Sequence, residues 1–372
     1  MDVVAAVARA PQADFSIETV TLDAPREDEI LVRIVGVGLC HTDIVARDGG
    51  MGFGYPAVLG HEGSGIVERV GGSVTKVAPG DRVALTFRSC GACPRCQRGE
   101  PAYCHTMPQL NYTGARLDGS KAIHSQNGAV VSNFFGQSSL AGYALAYERN
   151  VVKVPDDVPL ELMGPLGCGV QTGAGGIMRS LRCEAGSSLL VTGGGAVGLS
   201  AVMGAVINGC SRIIVLEPHK ARRELALELG ATDVIDPGVA SNLEQAVRAI
   251  EPVGVDYAFD TTGRPDILQA IMDCLGPHGT LGVVGIPPPD APMPGLMIKA
   301  ITFGHAVKGI IEGDSEPDVF IPELIEHYRQ GRLPFDRLVT TYPLSRINRA
   351  IADQHAGECI KIVLLPWENG QD

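Results

Sequence analysis

Four cysteines lie close together in the chain, in the pattern Cys-x2-Cys-x2-Cys-x7-Cys at Cys90, Cys93, Cys96 and Cys104. Four thiolates at this spacing can surround one tetrahedral Zn²⁺ ion at about 2.3 Å each. Such a site has no open coordination position, so it braces a loop and does no chemistry. Disulfides would need an oxidising compartment, and the spacing is not that of a ferredoxin iron–sulfur cluster. The pattern therefore predicts a structural zinc site.

Three further segments carry metal-binding or acidic residues next to glycines. They are GLCHTD with Cys40, GHEGSG with His61 and Glu62, and GPLGCGVQTG with Cys168. Two cysteines and one histidine would leave a fourth zinc position open for water or substrate. Spacing alone does not link these segments, because isolated Cys and His residues are more often core or surface residues.

A glycine-rich turn offers a place for a dinucleotide. VTGGGAVG provides Gly193, Gly195 and Gly198 in G-x-G-x-x-G spacing, between an apolar strand and an apolar helix. The first glycine permits a tight turn, the second lets the backbone approach a pyrophosphate, and the third lets the helix pack on the sheet. Glu217 ends the next strand, where an acid accepts ribose hydroxyls and repels a 2′-phosphate. These features predict NAD rather than NADP, although Arg222 and Arg223 lie close enough to reach a phosphate.

The elements that carry these residues divide the chain into two parts. Residues 1–160 hold short β-like runs punctuated by Gly and Pro, which is typical of a barrel-like β domain. Residues 187–305 alternate apolar runs with helical patterns, which predicts βαβ units and a parallel sheet. The tail reads as two helices and a strand that rejoin the first domain. We expect a catalytic domain of residues 1–168 and 310–372 and a cofactor domain of residues 169–309, with an unusually long connection over 108–137.

Composition limits the remaining possibilities. The 372 residues carry a net charge of -12, which disfavours nucleic acid and anionic membrane surfaces as partners. A secretory leader and a run of apolar residues long enough to span a membrane are both missing from the sequence. We therefore expect a cytoplasmic protein, in which Cys183, Cys210, Cys274 and Cys359 are small buried hydrophobic residues.

The whole chain resembles the zinc-containing medium-chain dehydrogenases. G-H-E-x-x-G from Gly60 to Gly65, the four-cysteine loop, the glycine-rich turn and the chain length carry this resemblance. It implies an α/β fold, with a GroES-like β-barrel catalytic domain and a Rossmann doubly wound parallel-sheet domain. It also implies that Cys40, His61 and Cys168 bind a catalytic zinc, which makes two zinc ions per chain.

The resemblance assigns further roles. Glu62 would lie behind the catalytic zinc, Asp43 would orient His61, and Thr42 would hydrogen-bond the substrate hydroxyl. Thr172 and Val197 would touch the nicotinamide. The positions implied to meet cofactor phosphates or ribose are His41, Arg222 and Lys361.

One position departs from the family. Relatives often have a histidine five residues after the first zinc cysteine, where it passes the alcohol proton to solvent, and this chain has Val45. The nearest titratable residue in the motif is His41, which we treat as a candidate base.

Two stretches, GCGVQTGAG (167–175) and NFFGQSSLAGYAL (133–145), resemble bacterial aryl-alcohol dehydrogenases and also dehydrogenases of allylic and terpene alcohols. We expect NAD-linked oxidation of primary aromatic or allylic alcohols to aldehydes by a homodimer or homotetramer. The candidate substrate contacts, by position in the family, are Phe87, Met51, Leu140 and Ile286. The alternatives are a dehydrogenase of S-hydroxymethyl thiol adducts of formaldehyde, a zinc-free quinone reductase of the same fold, and a non-enzymatic zinc module that binds nucleic acid.

Overall fold

The computed structural model describes residues 1–52, 54–125, 128–240 and 242–368, and these form two compact units. The first unit holds the described residues of Met1–Cys168, Glu316–Ile325 and Asp336–Asp372. The second holds those of Gly169–Ser315 and Glu326–Phe335. The sequence predicts that the second domain ends at residue 309. In the structure, the compact second unit continues to Ser315.

Short strands dominate the first unit, as the Gly- and Pro-punctuated runs predict. They are β1 (Asp2–Ala8), β2 (Phe15–Leu22), β3 (Glu29–Leu39), β4 (Ala57–Val58), β5 (Glu62–Val70), β6 (Arg82–Leu85), β7 (Ile123–Ser125), β8 (Gly128–Val130), β9 (Tyr143–Tyr147), β10 (Val151–Lys153), β17 (Val339–Pro343) and β18 (Lys361–Leu365). Its helices are α1 (His41–Arg47), α2 (Pro94–Gln97), α3 (Met107–Asn111) and α11 (Ile347–Ala356). Helix α10 (Pro317–Arg329) contributes residues to both units.

The strands of the first unit form two sheets. One has the order β4-β1-β2-β7-β8, and the other has the order β10-β6-β5-β3-β18-β17 with β9 paired to β3. Pairing is antiparallel except between β17 and β18. The tail strand β18 pairs with β3, with Ile362 opposite Leu39. The C-terminal part of the chain therefore lies beside the strand that leads directly into Cys40.

The second unit is a parallel sheet of the described strands β11 (Ser188–Thr192), β12 (Arg212–Leu216), β13 (Asp233–Ile235), β14 (Val255–Asp260), β15 (Leu275–Val283) and β16 (Ala306–Gly309). Its helices are α4 (Gly169–Gly175), α5 (Ala196–Asn208), α6 (Lys220–Glu228), α7 (Leu243–Ile250), α8 (Pro265–Cys274) and α9 (Met297–Phe303), and Gly176–Leu181 is π-helical.

Strand order in this sheet is β13-β12-β11-β14-β15-β16. All five residues of β11 are buried, as expected for a central parallel strand covered on both faces. The chain moves outward from β11 in one direction to β13 and then returns to β14, so the turn after β11 lies at the switch point where such sheets bind ligands. The predicted Rossmann fold is confirmed.

The connection over 108–137 is more regular than its sequence indicates. It contains the end of α3 and the hairpin of β7 and β8, and β7 extends the first sheet by pairing with β2. The strands are too short to show periodicity in the sequence, which is why the stretch reads as a loop.

Candidate active site

Three segments that are far apart in the sequence bring metal ligands together in the first unit. Cys40 directly follows β3 and caps α1, His61 directly precedes β5, and Cys168 follows the tight turn Gly164–Gly167. The ligand atoms of Cys40, His61, Glu62 and Cys168 all lie within 4.8 Å of one another. Two thiols and an imidazole at this separation fit the ligand set of a catalytic zinc.

The ring of His61 supports this fit. It is completely buried, and its Nδ1 lies 3.0 Å from Asp43 Oδ1. Asp43 also accepts the N–H groups of Gly60, at 2.9 Å, and of Cys40, at 3.0 Å, so one carboxylate orders two ligand segments. Within the described residues, His61 Nε2 has no hydrogen-bond partner. A buried polar atom without a partner is unfavourable, and a metal ion would satisfy this one.

Electrostatics at the site favour a cation. A hydrogen bond with Cys168 is the main reason that the pKa of the Cys40 thiol lies well below its usual value. Burial lowers the pKa of His61, but the carboxylate of Asp43 outweighs burial and holds that pKa well above its usual value. A lowered thiol pKa favours the thiolate, which is the form of cysteine that binds a metal ion.

Glu62 lies behind the ligands in an ion pair. Its Oε2 is 2.5 Å from Lys361 Nζ, which also donates to the carbonyl of Leu39 at 3.1 Å, and both side chains are buried. A Cβ at Gly38 would collide with the Glu62 carboxylate, so the close approach of β3 requires glycine there. The family resemblance implies that Lys361 contacts the cofactor. In this structure its ammonium group pairs with the Glu62 carboxylate.

Thr42 and His41 start α1 beside the metal ligands. Thr42 Oγ1 accepts a hydrogen bond from the Cys40 thiol at 3.7 Å and is partly exposed, whereas His41 is exposed. Val45 lies one helical turn after His41 and is partly buried.

The four-cysteine loop also forms a compact group, with its four sulfur atoms within 4.8 Å of one another. Its sulfurs accept backbone N–H groups, from Cys93 to Cys90 at 3.3 Å and from Cys90 to Cys104 at 3.3 Å. Backbone hydrogen bonds, chiefly from Cys96 and His105, lower the pKa of Cys93 to about 6. Each of the ten cysteines, all within the described residues, is a free thiol. This arrangement fits a closed metal site and not a pair of disulfides.

A cavity of about 390 Å³ opens beside this loop. Its walls include Cys90, Arg88 and Arg149, but none of Cys40, His61 and Cys168. It is therefore separate from the proposed catalytic ligands.

The glycine-rich turn of the second unit has the geometry that its spacing predicts. Gly193 has a φ of +93°, which favours glycine, and a Cβ at Gly198 would collide with the Gly193 carbonyl. A Cβ at Gly195 would meet nothing within 4 Å, so space is open at the start of α5. The open space and the helix start suit a pyrophosphate.

Glu217 is bound to this turn. Its Oε2 accepts the Gly194 N–H at 2.6 Å, its Oε1 accepts the His219 N–H at 2.8 Å, and the residue is 3 % exposed. Arg223 donates to the Glu217 carbonyl and pairs with Asp236 at 2.7 Å. The Nε atom of Arg222 is buried and has no hydrogen-bond partner in the part of the chain that the structure describes.

Val197 and Thr172, the predicted nicotinamide contacts, are partly buried. Thr172 Oγ1 lies 3.5 Å from Glu312 Oε2, which also accepts from Gln171 Nε2 at 3.2 Å. Glu312 has a φ of +51°, an unusual value for a non-glycine residue. Glu312 is not predictable from the sequence, because an isolated glutamate in a loop forms no pattern.

The four candidate substrate contacts differ in exposure. Phe87 and Leu140 are buried in the core of the first unit, and Met51 packs against that core. Ile286 of the second unit is 58 % exposed. Their contact with substrate stays a prediction, as do the other site assignments made from the resemblance.

Comparison with known proteins identifies related chains over the full length. Residues 26–156 match the family model described as alcohol dehydrogenase GroES-like domain, and residues 196–327 match the model described as zinc-binding dehydrogenase.

Three relatives are informative. The geraniol dehydrogenase of Castellaniella defragrans is 48% identical over 97% of both chains. A probable S-(hydroxymethyl)glutathione dehydrogenase of Schizosaccharomyces pombe is 34% identical over 97% of this chain and 96% of its own. The crystal structure of benzyl alcohol dehydrogenase from Acinetobacter calcoaceticus superposes with a TM-score of 0.95 at 42% identity, covering 98% of this chain and 99% of that one.

Proposed function

We infer the reaction from the family: this chain belongs to the zinc-dependent medium-chain alcohol dehydrogenases, and we propose that it oxidises primary allylic and aromatic alcohols to aldehydes with NAD. The observation that carries the proposal is the convergence of Cys40, His61 and Cys168 around a histidine nitrogen that lacks a partner among the described residues. Relatives named for geraniol and for benzyl alcohol support the substrate class, because these are a primary allylic and a primary aromatic alcohol.

We assign the catalytic zinc to Cys40, His61 and Cys168 and the structural zinc to the four-cysteine loop. Zinc in the first site supplies a Lewis acid that lowers the pKa of an alcohol. Asp43 holds the His61 ring in the tautomer that presents Nε2. Thr42, beside Cys40, would accept a hydrogen bond from the substrate hydroxyl and, as that proton moves to it, release its own hydroxyl proton toward solvent.

NAD supplies the hydride acceptor. The open turn at Gly195 and the start of α5 bind its pyrophosphate, and Glu217 accepts hydrogen bonds from the adenosine ribose. The Gly194 and His219 N–H groups fix the Glu217 carboxylate in one orientation. A fixed negative charge there disfavours the 2′-phosphate of NADP.

A comparison of alcohols tests this proposal. With NAD, kcat/KM for geraniol or benzyl alcohol should exceed that for ethanol by about 100-fold or more, because a larger apolar group contributes binding energy to the transition state. Comparable efficiency with ethanol, or faster turnover with NADP than with NAD, would contradict it.

The S-hydroxymethyl thiol adduct of formaldehyde remains the second candidate substrate, supported by the 34% identical relative. Oxidation of formaldehyde that requires added glutathione and outpaces the oxidation of geraniol and benzyl alcohol would favour it. The non-enzymatic zinc module receives no support, because the family matches reach both units.

We further propose a homodimer or homotetramer in the cytoplasm. Helix α9 has no buried residue, and Met297, Ile298 and Ile301 are 77 %, 65 % and 73 % exposed. The neighbouring strand β16 is an edge strand of the described sheet, so a second copy can cover the apolar helix and extend the sheet. The free thiols suit a reducing compartment. Every helix among the described residues is too short or too polar to cross a membrane.

A further inference from the structure

The segment Asn133–Ser139, here called the brace segment, follows the hairpin of β7 and β8 and has an unusual backbone. Four of its residues have left-handed φ values: Asn133 (64°), Phe135 (52°), Gly136 (64°) and Ser138 (54°). Three of these are not glycine, and such residues avoid this region unless the surroundings impose it. Strained conformations of this kind concentrate at functional sites, which directs attention to what the segment contacts.

The surroundings hold this backbone firmly. Tyr147 donates its hydroxyl to the Asn133 side chain at 3.1 Å, and Asn150 donates its amide to the carbonyl of Phe135 at 3.0 Å. Ser138 donates to the carbonyl of Val58 at 2.7 Å. The conformation is therefore fixed by side-chain bonds at both ends and in the middle.

Two aromatic rings of the brace segment enclose the His61 imidazole. The Phe135 ring stacks on it, with centroids 4.4 Å apart and planes at 24°. The Phe134 ring meets it edge-on, with centroids 5.7 Å apart. Together with the bond from Nδ1 to Asp43, these contacts limit rotation of the ring about its χ angles.

The Gln137 side chain hydrogen-bonds the backbone of two chain segments, one containing His61 and the other containing Thr86. Its Nε2 donates to the carbonyls of His61, at 2.9 Å, and Thr86, at 3.1 Å, and its Oε1 accepts the Gly63 N–H at 3.1 Å. Carbonyls can only accept and the Gly63 N–H can only donate, so the amide has one satisfactory orientation. Ser139 donates to Oε1 at 2.8 Å and reinforces that orientation.

The same amide reaches toward the third ligand. Thr86, whose carbonyl Gln137 binds, donates its hydroxyl to the carbonyl of Gly167 at 2.7 Å, and Gly167 precedes Cys168. One buried side chain thus links the backbone of His61 to the turn that carries Cys168.

We propose that the brace segment positions the catalytic-zinc ligands, with Gln137 as a positioning residue that sets the distance between His61 and Cys168. The inference rests on the proposed function, since it assumes a zinc ion at that site. Gln137 contacts neither substrate nor metal in this role. It keeps the ligand atoms close together, so the site is formed before the metal arrives.

Gln137→Met tests the proposal, because Met keeps the length of the side chain and removes all its hydrogen bonds. Zinc release into the chelator 4-(2-pyridylazo)resorcinol should show two phases, one for each site. Loss of an outer-sphere partner typically weakens metal binding about 10–100-fold, so release of the catalytic zinc should accelerate by a similar factor. The structural zinc should leave at an unchanged rate.

Asn111→Leu is the matched control. Asn111 is also a fully buried amide, and it bonds the backbone of Arg88 in both directions and of Met107, each at 2.8 Å, rather than the backbone of His61, Gly63 or Thr86 that Gln137 binds. Its loss should lower stability without accelerating release of the catalytic zinc. Equal acceleration in both variants would overturn the proposal, because it would show a general loss of stability.

Cobalt provides a second readout. In protein with Co²⁺ in the catalytic site, Gln137→Met should shift or broaden the visible d–d absorption, since the ligand geometry changes. An unchanged spectrum together with unchanged release would also overturn the proposal.

Ser139→Ala serves if Gln137→Met fails to fold. It removes only one bond to Gln137 and should produce the same changes to a smaller degree, and release at the unmodified rate would again overturn the proposal. If the unmodified protein binds fewer than two zinc ions, the proposed function itself is wrong. If it binds two and Gln137→Met releases both normally, only the role of Gln137 fails.

Discussion

We predict that the alcohol proton leaves through single side chains at the start of α1. Thr42 lies beside Cys40, and the residue one turn after His41 is Val45, which cannot carry a proton. We predict that exposed His41 accepts the proton in place of a histidine at position 45. His41→Gln should then remove one ionisation from the pH–rate profile and lower turnover mainly at low to neutral pH, and imidazole buffer should partly restore it.

A different result is expected if His41 is not the base. If His41 only contacts cofactor phosphates, His41→Gln should weaken NAD binding at every pH and leave the shape of the profile intact. Steady-state rates between pH 5 and pH 10 with NAD titrations separate these outcomes.

We predict that the negative charge of Glu217 makes the protein prefer NAD to NADP. Glu217→Gln keeps one acceptor oxygen, which can bond only one of the Gly194 and His219 N–H groups, and removes the charge that repels a 2′-phosphate. We expect the ratio of kcat/KM for NAD to that for NADP to fall about 10-fold or more, mostly through better use of NADP. Glu217→Ala should narrow the ratio too, but with weaker NAD use, because it also releases the glycine-rich turn. An unchanged ratio in Glu217→Gln would show that the charge does not select the cofactor.

Metal-binding side chains that lie close together in the sequence can be predicted from their spacing, whereas those that lie far apart cannot. The four-cysteine loop is evident because Cys90 to Cys104 form one short stretch. The catalytic ligands needed a family resemblance, since nothing local links Cys40 to Cys168. Gln137 and Phe135 were missed for a further reason: a glutamine and a phenylalanine in a loop become informative only when the fold places them against His61.

We predict that a zinc ion in the four-cysteine loop stabilises the first unit. The helical pieces of this loop are the single turn α2 and a short 3-10 turn at Pro101–Tyr103, so the loop has little regular structure of its own apart from the cysteine group. Cys93→Ala should lose one of two zinc ions and lower Tm, by roughly 10–20 °C if about 5 kcal/mol of metal-linked stability is lost. Cys40→Ala should abolish turnover with a smaller change in Tm. Elemental analysis and calorimetry of both variants check this, and equal Tm values would contradict it.

The connection over 108–137 is held to strand β3 by a buried ion pair between Arg116 and Glu29. Arg116, 4 % exposed, binds Glu29 through two bonds of 2.7 and 3.0 Å and Asp23 through one of 2.7 Å. Arg116→Met leaves the Glu29 carboxylate buried without its cation and should cost about 3–5 kcal/mol of unfolding free energy. Arg26→Met removes the exposed pair with Asp118 and should cost less than about 1 kcal/mol.

The same pair predicts a dependence on pH. Burial raises the pKa of Glu29, but the bonds from Arg116 outweigh burial and hold that pKa below its usual 4.5. A carboxyl group whose pKa falls on folding adds stability above pH 4.5, and this is lost as pH falls through the lower folded value. Denaturant unfolding of the unmodified protein and of Arg116→Met should therefore converge in stability as the pH falls below 4.5. A constant difference would contradict this account.

Strands and helices are predictable from the sequence where they are long enough to show a hydrophobic pattern. The buried run of β11 and the helix α5 predict a βαβ unit directly, and the structure confirms the fold class. The strands β7 and β8 have three residues each, too few to show alternation, so their pairing depends on contacts with β2 that the local sequence does not reveal.

At the scale of the whole molecule, helix α9 presents an apolar surface that the proposed assembly would cover. Ile301→Glu places a charge on exposed α9, 73 % exposed at that position, and burying that charge at an interface would be costly. We expect the variant to sediment as a smaller species than the unmodified protein, with its fold and zinc content intact. Exposed Leu227→Glu, on α6, is the control and should leave the assembly unchanged. A monomeric unmodified protein would contradict the proposed oligomer.

The surface around α9 has a chemical consequence of its own. Met293 and Met297 are 74 % and 77 % exposed, and peroxide converts an accessible methionine into a polar sulfoxide. A partner copy seated on the helix would shield these thioethers, so the rate of their oxidation would rise as the protein is diluted and copies separate. Each sulfoxide formed would in turn hinder reassociation. Damage at this surface would thus accumulate fastest in dilute, oxidised samples, and methionine sulfoxide reductases could reverse it without any change at the zinc sites.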